Sequence, residues 1–215
     1  MSDSSTAPLA GLHVLKFGGT SLGNSDRVRE VASIIAAQAE KGPTIAVVSA
    51  LGLVTDELVT ASELATAGNE DWSTKLQELR HLHLKSVEEL AAPEDQTSVA
   101  ESVEAILAGL DELLQGVSLV KECTPRTQDG VLSLGERLST ILVAAALRAG
   151  GTDAEACDTK DLIVTDANFG SANVNMETTR ERVVPHFQQA GPLQVVTGFI
   201  GGTATGETTT LGRGG

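Results

Sequence analysis

The run Val14-Leu15-Lys16-Phe17-Gly18-Gly19-Thr20-Ser21 constrains the fold of this chain more than any other stretch. An apolar segment ends in a lysine, turns through two glycines and two hydroxyl residues, and passes at once into a helical pattern. A strand that turns through glycines into a helix start aims backbone N–H groups and a helix dipole at one spot, where an anion, typically phosphate, is stabilised. Lys16 adds a full positive charge there. The same Gly-Gly turn also serves as a plain strand-to-helix connection, so the run alone leaves both readings open.

The pattern that follows extends this start into a layered domain. His13–Phe17 and Thr44–Ser49 are short apolar runs of strand length, and Val28, Val31 and Ile35 mark one helical face between them. Strands that are apolar without alternation predict a parallel sheet covered on both faces. A largely helical block comes next. Val99, Val103, Ile106, Leu110 and Leu113 recur at helical spacing, and Ser98-x-x-Glu101 reads as a capping box. Leu134, Leu138, Ile141 and Ala145 form another stripe, closed by Gly150-Gly151. A strand at Asp153–Cys157, a polar connection at Asp166–Asn175, a helix from a Thr178-x-x-Glu181 cap through Gln189, and a strand at Leu193–Ile200 complete an α/β alternation. The segment from Gly198 to Gly215 reads as loop, and residues 1–10 as a disordered lead-in.

Composition excludes several classes of function. The chain has 215 residues, enough for one substantial core, with 29 acidic and 15 basic residues and a net charge of −14. Such a balance repels a phosphate backbone, so nucleic acid is not an expected partner. Cys123 and Cys157 stand far apart without CxxC spacing, which predicts neither a zinc site nor a disulfide and suits a reducing cytoplasm. No basic segment followed by an apolar stretch opens the chain, and no run of about 20 apolar residues predicts a membrane span.

Three further places could carry chemistry. Ser49 falls at a strand end and Thr55 near the next helix start, where open α/β sheets gather ligands; Thr55 as a simple helix cap is the alternative. Glu136 lies beside Arg137 in an otherwise apolar helical stretch. A carboxylate there is either paired internally or kept for a cationic ligand group. Arg213, flanked by glycines, could grip a carboxylate with two parallel hydrogen bonds, or belong to a flexible tail. His81 and His83, two apart on a helix, do not share a face, and no metal site is expected.

Taken in order, the words KFGGTS at 16–21, VVSALGLVTDEL at 47–58, SLGERLS at 133–139, GFIGG at 198–202 and TTTLGRGG at 208–215 resemble those of the aspartate kinases, within the amino acid kinase superfamily. The resemblance runs from near residue 12 to the end. It implies a three-layer αβα sandwich around a mostly parallel sheet, C-terminally truncated, with residues 11–215 as an incomplete kinase domain. It implies ATP-dependent phosphorylation of the side-chain carboxylate of L-aspartate, the first step towards lysine, threonine and methionine. Lys16, Gly18, Gly19 and Thr20 would face the nucleotide phosphates, with Mg²⁺ carried on the nucleotide. Thr55, Glu136 and Arg213 would hold aspartate, Ser49 and Phe199 would line its pocket, and Lys16 and Arg213 would act in catalysis. Family members usually form homo-oligomers.

The family's GRGG word normally continues into Ser-Asp, and a nucleotide-binding half and ACT domains follow. The chain ends at Gly215, so the resemblance predicts an inactive fragment with an uncovered sheet edge. Another amino acid kinase, acting on acetylglutamate, glutamate or a nucleotide, is the nearest alternative, and a non-catalytic binding module with this fold is another. Glu136 favours a substrate with a free α-amino group.

Overall fold

The structure is a computed structural model that describes residues 11–189 and 191–212. Its centre is a parallel four-stranded sheet built from β1 (His13–Phe17), β2 (Thr44–Val48), β3 (Ala154–Cys157) and β5 (Leu193–Thr197), in the order β1-β2-β5-β3. The register runs Lys16 opposite Val47, Val47 opposite Val196, and Val196 opposite Cys157. Helices cover both sides of the sheet, giving the expected α/β sandwich. The inner strand β2 is buried along nearly its whole length, as its unbroken apolar sequence requires.

The helices are α1 (Ser25–Ala39), α2 (Val54–Thr66), α3 (Asp71–Leu90), α4 (Gln96–Val120), α5 (Pro125–Ala149) and α6 (Met176–Gln189). Helix α5 is the axle of the domain. It packs on α1, α2, α3 and α4 on one side and reaches β2, β3 and β5 on the other. Thr124 caps it by accepting from the Thr127 amide, Pro125 occupies the first turn, and Gly150 and Gly151 end it. It is the one described helix long and apolar enough to cross a membrane, but 78% of its apolar window is buried inside the domain. It is read here as a core helix. With aromatic residues at only 2% of the chain, the core is aliphatic. Leu58, Leu107, Leu110, Leu138, Leu142 and Leu147 are fully buried, each contributing about 1.5–3 kcal/mol of burial free energy.

A second, smaller sheet of β4 (Val164–Thr165), β6 (Ile200–Thr203) and β7 (Thr208–Thr210) stands beside the first. Here the structure corrects the sequence reading. The strand expected over Leu193–Ile200 breaks after Thr197, because Phe199 takes a left-handed backbone conformation at φ 61° and turns the chain into β6. The segment read as loop is a β6–β7 hairpin. Glu207 ties its turn by accepting from the Thr203 and Thr205 hydroxyls, which hold its carboxyl well down, to about 2. Gly202 sits where a Cβ would lie 2.6 Å from the Lys160 carbonyl oxygen, so only glycine fits.

Three capping expectations also differ. Ser98 does not cap α4; its hydroxyl donates to the Asp95 carbonyl and the helix begins two residues earlier. Helix α6 starts before Thr178, whose amide is held instead by the Asn175 side chain. Thr55 lies inside α2, whose first turn has no side-chain cap. The lead-in residues 1–10 and the Arg213 segment lie outside the described residues.

Candidate functional site

The carboxyl ends of β1, β2 and β5 open into a cavity of about 730 Å³. This is the position at which parallel sheets present ligand sites. Lys16 and Gly18 reach it from β1, Val48 and Ser49 from β2, Thr55 and Asp56 from α2, Asp129 and Glu136 from α5, and Gly198 and Phe199 from the end of β5. Of the candidate residues, Lys16, Gly18, Ser49, Thr55, Glu136 and Phe199 therefore share one space. Lys16 is the cation among its described lining residues, facing three carboxylates.

Gly19 and Thr20 do not line this cavity. A four-residue 3₁₀ turn, Gly19–Leu22, intervenes between β1 and α1, and α1 is capped by its own Asn24. The dipole of α1 is thus not delivered to the glycine pair as the sequence suggested. A Cβ on Gly19 would stand 3.3 Å from both the Ala50 and Gly52 carbonyl oxygens, so this glycine lets the β1 turn pack against the β2 turn. Thr20 is exposed.

Glu136 is the best-defined group. It is 2% exposed. One oxygen, Oε1, accepts from the Ser49 hydroxyl and the Ala50 amide, both at 3.3 Å. The other, Oε2, is buried without a hydrogen-bond partner among the described residues. Burial pushes its carboxyl up to about 7, against the lowering pull of those donors. The internal salt bridge with Arg137 does not form. Arg137 turns away, its Nε 2.7 Å from Asp158 Oδ2, although that N–H is not aligned on the carboxylate. Glu136 thus lines the cavity and carries an unpartnered buried acceptor, next to the close approach of α5 that Gly135 permits. A Cβ there would lie 2.8 Å from the Ala50 Cβ.

Asp129, which the sequence reading missed, lines the same cavity two helical turns before Glu136. It is 0% exposed. Its Oδ2 accepts from the Gly170 amide at 2.9 Å and the Thr210 amide at 3.0 Å, and its Oδ1 from the Thr210 hydroxyl at 2.7 Å. A seven-residue interval between two carboxylates on one helix was the available signal, because such positions share a face. Gln128 was missed as well. It accepts from Ser62 at 2.9 Å and from the Cys123 thiol at 3.3 Å at the cavity wall.

Comparison with known proteins places this architecture. The chain belongs to the amino acid kinase family, which matches residues 11–215. Within it, the chain is similar to the N-terminal part of aspartokinases. It is 35% identical to aspartokinase 1, chloroplastic, of Arabidopsis thaliana, over 94% of this chain and 36% of the relative. It is 30% identical to the lysine-sensitive aspartokinase 3 of Escherichia coli, over 94% of this chain and 43% of that one. The crystal structure of E. coli aspartokinase III in complex with aspartate and ADP superimposes with a TM-score of 0.83 at 30% identity, covering 95% of this chain and 44% of that one. The chain thus spans less than half the length of these relatives.

Proposed function

We propose that this chain forms the amino-acid-binding part of an aspartate kinase, which transfers the terminal phosphoryl group of ATP to the side-chain carboxylate of L-aspartate. The observation that carries this reading is the unpartnered oxygen of buried Glu136, which lines a cavity together with Lys16. A free α-ammonium group is the partner that an unsatisfied buried carboxylate requires, and it would return Glu136 to its ionised form. Two negatively charged carboxylates on the substrate call for cations. Lys16 supplies one, and Arg213, outside the described residues, is proposed as the other, which assigns both a catalytic role. Ser49, Thr55 and Phe199 shape the pocket around the substrate.

The phosphate end of ATP would meet the Lys16 ammonium and the Gly18 amide at the cavity, with the Gly19 amide next to them in the chain. There the nucleotide would supply the transferable group, and Lys16 would offset the charge that builds on it. Thr20, exposed at the start of the turn that follows, would contact the phosphates from outside. Mg²⁺ is expected to ride on the nucleotide phosphates. Residues 11–215 are proposed as part of a kinase domain whose nucleotide-binding half and ACT domains lie on further residues. The whole enzyme is proposed to be a cytoplasmic homo-oligomer at the head of lysine, threonine and methionine synthesis.

The test is ATP turnover by the natural protein with L-aspartate, trapping the acyl phosphate with hydroxylamine. Lys16→Ala should lower kcat by about 10²-fold with little change in stability. Residues 1–215 alone should bind L-aspartate yet release no ADP. Turnover with N-acetylglutamate and none with L-aspartate would overturn the substrate assignment. Binding of L-aspartate without turnover by the natural protein would leave a binding module in its place.

A further inference from the structure

We propose that Asp129 is a positioning residue. On this proposal it fixes two segments that wall the cavity it shares with Glu136, so that one helix carries both Glu136 and the anchor of that wall. This rests on the substrate reading given above. Three elements meet at one buried carboxylate. Helix α5 supplies it; the 166–175 connection delivers the Gly170 amide; the end of β7 delivers the amide and hydroxyl of Thr210.

The two walls are also locked to each other. The Ala172 amide donates to the Thr210 carbonyl at 2.9 Å, and the Thr165 and Thr209 hydroxyls bond at 2.7 Å. Gly212 at φ 75° packs so closely on this connection that a Cβ would lie 3.2 Å from the Ser171 hydroxyl. Leu211 in turn donates to the Phe199 carbonyl at 3.0 Å, which carries the same restraint to the cavity floor. Asp166 holds the base of the connection. Its oxygens accept from the Asn168 and Asn173 amides and from the Asn173 side chain.

The path of the chain from Thr210 to Gly212 is therefore set by Asp129, which stands two turns of α5 from Glu136. A helix is stiff over two turns, so the spacing between Glu136 and the wall formed by Gly170 and Thr210 is inherited from α5 and not from either loop. Asp129 touches no substrate in this arrangement. It acts through the buried Thr210 amide, which would otherwise lose its partner, and through the amide of the more exposed Gly170.

The geometry separates hydrogen bonding from charge. Asparagine can keep all three bonds: its oxygen accepts from the two amides, and its NH₂ donates to the Thr210 hydroxyl. In the natural protein, Asp129→Asn should leave the KM for L-aspartate within about threefold of wild type, whereas Asp129→Ala should raise it about tenfold or more, with the KM for ATP and the melting temperature much less affected. Hydrogen exchange provides a readout that needs no substrate. The Ala variant should exchange faster at the Gly170 and Thr210 amides, while α1 and the central sheet stay protected.

Equal losses in the Ala and Asn variants would overturn the proposal, as would a parallel rise in the KM for ATP, or unchanged exchange at Gly170 and Thr210. If the wild-type protein phosphorylates no aspartate but the exchange pattern appears, the substrate reading fails and the positioning of the two walls stands. If the kinase works and the exchange pattern is absent, Asp129 has no such role.

Discussion

Replacing Glu136 by glutamine separates what this carboxylate costs the fold from what it offers a ligand. Burial raises its pKa from the ordinary 4.5 to about 7. At about 1.4 kcal/mol per pKa unit, the ionised form destabilises the empty protein by about 3 kcal/mol at alkaline pH. The sign follows from linkage. The folded state holds the proton more tightly than the unfolded chain, so stability falls as pH rises from 4.5 to 7 and stays low above it. Glutamine keeps the shape and can still accept from the Ala50 amide and the Ser49 hydroxyl without carrying charge.

Denaturant titrations of Glu136→Gln and wild type across pH 4 to 9 should therefore show a stability difference that opens between pH 4.5 and 7. It should favour the variant by up to about 3 kcal/mol above pH 7. Binding should move the other way. An α-ammonium group pulls the carboxyl back to its ionised form, so L-aspartate should bind about tenfold more weakly at pH 6 than at pH 8 and release protons near neutrality. Calorimetry in two buffers of different ionisation enthalpy measures that release. Succinate, which lacks the ammonium, should release none. A flat affinity profile with no proton release, or a variant no more stable than wild type at pH 8, would refute the reasoning.

Gly135→Ala sets an intrinsic helix gain of about 1 kcal/mol against overpacking of about 1–3 kcal/mol, since its Cβ would meet Ala50 at 2.8 Å and Leu58 at 3.3 Å. We expect a lower melting temperature and weaker L-aspartate binding, because α5 must back away from the Ala50 amide that holds Glu136; a stabilised variant with unchanged affinity would contradict this. His83 is 0% exposed, donates from Nδ1 to the Leu79 carbonyl at 2.7 Å, and has no partner for Nε2 among the described residues. Burial lowers its pKa, so the unfolded chain binds the extra proton first and stability falls as pH drops below 6.5. Replacing His83 with leucine should remove that slope from the wild-type stability curve below pH 6.5, and identical slopes in the two proteins would exclude the effect.

The central sheet was legible because its strands are buried on both faces: unbroken runs such as Thr44–Val48 leave no other solution, and α1 between the first two declares itself by Val28, Val31 and Ile35. What the sequence hid is non-local. Nothing in the Leu193–Ile200 run announces that Phe199 turns left-handed, because the conformation is imposed by β6 leaving the main sheet to pair with β7 and β4. The glycine pair leaves a phosphate turn and a plain connection both open in the sequence; in the structure Gly18 lines the cavity, while Gly19 also lets two turns touch. For Glu136 the reverse holds. A charge in an apolar stripe had two outcomes, and only the direction in which Arg137 points decides between them. Arg137 leaves for Asp158, so the carboxylate is left to the cavity. Asp129 remained hidden for a related reason. Its partners are two backbone amides and one threonine some 41 and 81 positions away, and backbone amides carry no residue identity that a sequence could display. Groups that meet side chains leave a compositional trace, while groups that position backbone do not. Positioning residues of the Asp129 kind are therefore to be sought wherever a buried carboxylate accepts from main-chain donors at the edge of a ligand cavity.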